Sequence, residues 1–170
     1  MMKLYFIRHG LSEMNALGLR AGRSETPLTR KGRTQALVAG QEAKTLAIDT
    51  VATSPMGRTL ETAKIIAKEI SYPTSKIHVS NLLIERDFGP LEGTPWDPDL
   101  NIDDNLDIES VEEILNRANL ALQWLQSLQA ENILVVSHGA FGRALRSLLV
   151  ADLPFSSPKQ IPNAKIIRWL

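Results

Sequence analysis

The sequence contains no cysteine. That absence excludes disulfides, thiolate metal ligands and a thiol nucleophile, and nothing points to an oxidising compartment. Net charge is missing as well. Nineteen Lys and Arg against nineteen Asp and Glu leave no overall field to draw nucleic acid or an anionic membrane surface, so neither is an expected partner. Long apolar runs are absent too: the N-terminal MMKLYFIRHG is broken by Arg8 after a stretch too short for a signal peptide or a membrane span. A cytoplasmic protein, neither exported nor inserted, is expected. Aromatic residues make up only 5%, whereas the apolar fraction reaches 44% over 170 residues, enough to build the core of one domain spanning residues 1–170. There is no internal repeat, low-complexity tract or linker.

What is present alternates between two periods. Lys3 to Ile7 reads as a buried strand bounded by His9 and Gly10. From Thr29, a helix cap, to about Leu46 a helix is expected with Ala36, Leu37, Ala39, Gly40 and Ala43 on its inner face. Asp49 to Thr53 is a second strand, followed by a helix from about Met56 to Ile70 facing inward through Leu60, Ala63, Ile66 and Ala67. Ile77 to Val79 is a weak strand. The Gly- and Pro-rich stretch from Asp87 to Asp107 has no period and reads as loop. Glu109 to Ala130 carries the longest helical stripe, Ile133 to Val136 is a buried strand, a helix follows to about Val150, and Ala164 to Leu170 could close the sheet or meet a partner, which leaves the oligomeric state open. Strands alternating with helices imply an α/β fold, a three-layer α/β/α sandwich around a mostly parallel sheet.

In such folds ligands gather at the carboxyl ends of the strands. Three predicted strands end in reactive groups: LYFIRHG brings Arg8 and His9, VATSPMGR brings Ser54 and Arg58, and ILVVSHG brings His138. Each alone reads more simply as a polar turn or a solvent-facing arginine. Two strands ending in His-Gly with two arginines nearby are much less expected by accident. A zinc site would recruit three or four ligands without cations beside them, whereas two Arg, two His and a helix N-terminus suit a compact anion such as phosphate. A neutral imidazole can attack phosphorus. A proton donor for the leaving oxygen is then needed, and Glu85 in LLIERDFGPLEG is the candidate, although an ion pair with Arg86 accounts for it as simply; Glu92 suits support of the loop.

Together these segments resemble the histidine phosphatase superfamily, of phosphoglycerate mutase-like fold. RHG followed by Asn15 is the most specific match. TPLTRKGRTQA (Thr26 to Ala36), SPMGRTLETA (Ser54 to Ala63), ERDFGPLEG (Glu85 to Gly93), ESVEEILNR (Glu109 to Arg117) and VVSHGAFGRAL (Val135 to Leu145) follow in order. The resemblance implies that His9 becomes phosphohistidine, that Arg8, Arg58 and His138 hold the phosphoryl oxygens, and that Glu85 protonates the leaving oxygen and then activates water. It further implies phosphate contacts from Asn15, Gly22 and the N–H of Gly139, support from Asn163, and no metal or organic cofactor.

Hydrolysis of a small phosphorylated metabolite and mutation of phosphoglycerate both run through the same intermediate. Arg86 after Glu85 leans toward a mutase. The short segment after Gly93 leans away from one: from Gly93 to Asn116 the acids Asp97, Asp99, Asp103, Asp104, Asp107, Glu109, Glu112 and Glu113 occur without Lys or Arg, where mutases carry a long basic insertion. Acid near the mouth of the site should repel doubly phosphorylated or carboxylated substrates. Ala21, in place of a hydroxyl residue, also leans away. Hydrolysis is therefore expected, with a phosphohistidine-protein phosphatase and a noncatalytic phosphoryl-binding regulator left open beside it and the mutase. His78, Trp124 and Trp169 are expected to serve packing or surface, while Trp96 lies in a loop that could cover the pocket.

Overall fold

In a computed structural model, residues 2–97, 100, 102 and 107–170 are described. Of the acidic segment, Asp99, Asp103 and Asp104 lie outside them. The elements run in the order β1 (Lys3–Arg8), α1 (Glu13–Ala16), α2 (Arg30–Ala43), β2 (Thr50–Thr53), α3 (Gly57–Glu69), β3 (His78–Val79), α4 (Val111–Ser127), β4 (Asn132–Ser137), α5 (Gly139–Leu149) and β5 (Ile166–Arg168), with short 3-10 turns between α3 and α4.

Among the described residues the strands form one sheet in the order β3-β2-β4-β1-β5. All neighbours are parallel except β5, which runs antiparallel to β1. Because side chains alternate along a strand, Leu4 and Phe6 of β1 and Ile133 and Val135 of β4 face α4 and α5, while Tyr5, Ile7, Leu134 and Val136 face α2 and α3. Two cores on opposite faces make the three layers. Both central strands are apolar on each face, which is why they read as continuous runs.

Helix starts follow the chemistry of the free N–H groups. Thr29 accepts from Gly32 N at 2.9 Å, and Ser110 and Glu113 form a reciprocal capping box at the head of α4, each cap contributing about 1 kcal/mol. Ser12, to which the sequence assigns no role, is completely buried and caps α1. Two expected inward residues point elsewhere: Leu37 is 40% exposed and Leu60 is only half-buried, their places on the inner faces being taken by Gly32 on α2 and by Thr59 and Thr62 on α3. Small and hydroxyl-bearing residues there let the helices approach the loop after β1. A Cβ on Gly10 would collide with the carbonyl oxygen of Gly32, so Gly10 serves the contact with α2.

The C-terminal segment closes the sheet as an edge strand, and Trp169 stacks on Phe6 at 4.3 Å between ring centroids. His78 lies exposed on the opposite edge. No helix among the described residues is long and apolar enough to cross a membrane.

Candidate active site

Strand order assembles the site. β4 lies between β1 and β2, with Arg8 level with Ser137 and Thr53 level with Val136, so His9, Ser54 and His138, each one residue beyond a strand end, arrive side by side. A cavity of about 340 Å³ opens there, lined among others by Arg8, His9, Asn15, Gly22, Arg58, Glu85, Gly139 and Asn163. His138 belongs to the cluster but not to that lining: it is completely buried, its ring centroid 5.3 Å from that of His9.

The protonation of His9 follows from its neighbours. Arg58 Nε lies 3.3 Å from His9 Nε2, and a guanidinium N–H can only donate, so Nε2 presents a lone pair. The proton of the neutral ring is then on Nδ1, which donates to Gly10 O at 2.7 Å. Burial, followed by the charges of Arg58 and Arg8, holds His9 well below the ordinary histidine pKa. Burial first, then Arg58, His9 and Arg8, does the same to His138. Its Nε2 meets Ser54 Oγ at 2.8 Å, while its buried Nδ1 has no partner.

These shifts set the pH response of stability. Below about pH 6.5 the unfolded chain protonates both histidines and the folded one does not, so unfolding takes up protons and stability falls as pH drops, by up to about 1.4 kcal/mol per pH unit for each histidine. Urea denaturation at pH 7.5, 6.5 and 5.5 should show a decline concentrated in the lower interval. A stability rising between pH 6.5 and 5.5 contradicts it.

The cations are held by backbone carbonyls. Arg58, 1% exposed, donates to Gly22 O at 2.5 Å and Ser24 O at 2.8 Å. Arg8 donates to Ile161 O at 3.1 Å and Asn15 Oδ1 at 3.4 Å, and its guanidinium carbon is 3.4 Å from where a Cβ on Gly139 would stand. Burial lowers both arginine pKa values, with the charge of Glu85 opposing. Asn163 Nδ2 donates to His9 O at 2.8 Å, which ties the segment leading to β5 to the backbone of His9.

Glu85 is buried, with Oε1 accepting from Arg86 N and Phe141 N, both at 2.9 Å, and Oε2 from Ala140 N at 3.2 Å. Its carboxyl is therefore positioned by the N-terminal N–H groups of α5 at the cavity wall. The Arg86 side chain turns to other partners: it is 2% exposed, donates to Glu109 O at 2.8 Å and lies near the rings of Phe88 and Phe155. The ion-pair reading of Glu85 is thereby corrected. Glu92 does support the loop, accepting from Arg23 N at 2.8 Å and Ser24 Oγ at 2.6 Å. Thus it pins the turn whose carbonyls hold Arg58. That turn needs Gly22, at φ +52° with the Glu92 side chain where a Cβ would be.

Several expected acids are occupied elsewhere. Glu109 pairs with Arg117 at 2.8 Å and with Arg23 at 3.3 Å, and Glu113 closes the α4 cap. Sequence reasoning missed Arg20, Arg143, Phe88 and Gln160 in the cavity wall, and Trp96, for which packing is the simpler reading from sequence, also lines the cavity. Arg20 lies in an aperiodic loop, and its one signal is its place between Gly18 and Gly22. Among the described residues no group of three or more His, Asp or Glu could hold a metal ion.

The profile of the histidine phosphatase superfamily (branch 1) matches residues 4–168. A protein named "Acid phosphatase" from Mycobacterium tuberculosis is 36% identical over 177 residues, 96% of this chain and 84% of that one. The "Probable phosphoglycerate mutase GpmB" of Citrobacter koseri is 34% identical over 165 residues, 88% of this chain and 75% of that one. The solved structure of the Mycobacterium tuberculosis open reading frame Rv3214 superposes with a TM-score of 0.81 at 34% identity, covering 97% of this chain and 89% of that one.

Proposed function

The chain belongs to the histidine phosphatase superfamily, and from that premise we propose that it hydrolyses a small phosphomonoester through a phosphohistidine formed on His9. The observation that carries the proposal is the unprotonated Nε2 of a neutral His9, held by its Nδ1–H on Gly10 O between two arginines. Nε2 attacks phosphorus. The P–O bond breaks with its electrons on the leaving oxygen, which Glu85 protonates. Water then gives its proton to Glu85 and its oxygen to phosphorus, and the P–N electrons return to Nε2.

For this, Arg58 exchanges its contact with Nε2 for a phosphoryl oxygen, joined by Arg8, Asn15 and the N–H of Gly139. With Ser54 donating to His138 Nε2, the ring proton of His138 is on its unpartnered Nδ1. Each oxygen meets a guanidinium or N–H donor, and no step is routed through a metal. Hydrolysis is favoured over mutation because Arg86, the residue that leaned toward a mutase, binds Glu109 O against the Phe155 ring and does not line the cavity, and Ala21 brings no hydroxyl to the wall. One relative is named an acid phosphatase and another a probable phosphoglycerate mutase, so their names support the shared phosphohistidine chemistry and the choice rests on the site.

The test is phosphate release from esters whose leaving groups range from p-nitrophenol to simple alcohols. Wild-type protein should release phosphate across the series, and Glu85→Gln should slow alkyl esters by about 100-fold or more while affecting p-nitrophenyl phosphate much less. No hydrolysis of any ester sinks the function; equal losses across the series remove the acid role of Glu85.

A further inference from the structure

The outer wall of the cavity holds a cation that the phosphoryl group does not need. A dianionic phosphoryl is matched by Arg8 and Arg58, yet Arg20 and Arg143 also line the cavity while Glu85 is the one carboxylate among the described lining residues. Arg20 is only 4% exposed. Its NH1 donates to Thr94 Oγ1 at 3.2 Å, and its Nε is buried without a hydrogen-bond partner. Charged groups are seldom buried unless paired, so a buried guanidinium with an unsatisfied N–H in a cavity wall fits a site completed by ligand.

Local structure fixes where it stands. The backbone N–H of Arg20 donates to Thr94 O and that of Gly93 to Arg20 O, both at 2.8 Å, and Trp96 N donates to Gly18 O at 2.8 Å. These bonds pair segments 18–20 and 93–96 into a short ribbon along the cavity. The guanidinium carbon lies 5.6 Å from the Phe88 centroid and 5.2 Å from that of Trp96. Aromatic faces hold a guanidinium in place without using its N–H groups, which point outward in its plane and suit a carboxylate or phosphate. Asp97 is the acid whose charge reaches Arg20.

We propose that Arg20, between Phe88 and Trp96, is a specificity-determining residue that binds a second anionic group, a carboxylate or a phosphate, on the alcohol portion of the substrate. This rests on the phosphomonoester reading of the same cavity, and it replaces the expectation that the acidic segment repels such substrates. The cavity is at the small end of ligand sites, so the second anion belongs to a compact molecule.

The test uses ω-carboxyalkyl phosphates of two to five carbons, each paired with the ω-hydroxyalkyl phosphate of equal length. Binding is measured by calorimetry in the His9→Ala protein, which forms no phosphoenzyme. At the best-fitting length the carboxylate should bind about tenfold or more tightly. Arg20→Gln in that background should bring the ratio close to one, with Arg20→Lys between the two, since a point charge keeps attraction but loses the fork. A merely structural Arg20 would shift both affinities and leave their ratio. Equal affinity at every length, including none, or a ratio that survives Arg20→Gln, overturns the inference. Phosphate release by the wild-type protein from the same esters is scored separately, so a failed hydrolase reading and a failed subsite are told apart.

Discussion

Replacing His9 by alanine should lower phosphate release by about 10⁴-fold or more on every ester, activated or not, because no other group supplies the nucleophile. Direct attack by water on a phosphoryl group held by the arginines would instead leave measurable turnover. A radioactive label separates the two routes: wild-type protein quenched during turnover of a ³²P-labelled ester should carry phosphate that acid releases and alkali does not, and His9→Ala should carry none. The variant is expected to fold. His9 contributes two side-chain hydrogen bonds, to Gly10 O and with Arg58, so its loss costs about 1–3 kcal/mol at pH 7.5. It also removes one of the two buried neutral histidines, so the decline below pH 6.5 should be shallower than in the wild type. Undiminished hydrolysis by His9→Ala would falsify the phosphohistidine mechanism.

The second large effect concerns Arg58. Its guanidinium is buried and meets three acceptors at once, Gly22 O, Ser24 O and His9 Nε2. A lysine ammonium keeps the charge but cannot present donors in that planar fork. Arg58→Lys should therefore lose about 10²- to 10³-fold in kcat/KM, the range associated with one oxyanion-stabilising group. Arg58→Met should lose more and should also destabilise, because each of two inward carbonyls left without a donor costs about 1–3 kcal/mol. Thermal denaturation together with phosphate release checks both. Full activity in Arg58→Lys would show that charge alone matters at this position and that the fork geometry does not.

The Arg58 result depends on residues with no place in the chemistry. Glu92 pins the 22–24 turn, and that turn supplies both carbonyls. The local signature of this arrangement is small: from its place beside Gly93, Glu92 reads as loop support, but nothing nearby in sequence ties it to Arg58 on a different helix. Arg86 shows the reverse. From sequence it reads as a partner of Glu85 or a sign of mutase chemistry, whereas packing between Phe88, Phe155 and Glu109 O uses it up. Loops have no period, so nothing in Glu85 to Gly93 tells which charged side chain faces the cavity.

Much was nevertheless legible. The apolar runs of β1 and β4, the cap Thr29, the helical stripe of α4 and the reactive strand ends all follow from local rules: side-chain periodicity and the need of free N–H groups for an acceptor. By itself the sequence determined the alternation of strands and helices, the approximate bounds of each except the short α1, and which residues would stand at strand ends. Only the tertiary structure decided that β4 lies between β1 and β2, that His138 is buried behind the cavity wall, that Gly10 faces Gly32, and that Arg20 enters the cavity while Arg86 does not. The reason is that sheet pairing is made by backbone groups common to every residue, so strand order leaves no local mark, and the direction of a charged side chain in a loop is set by acceptors that lie far away in sequence.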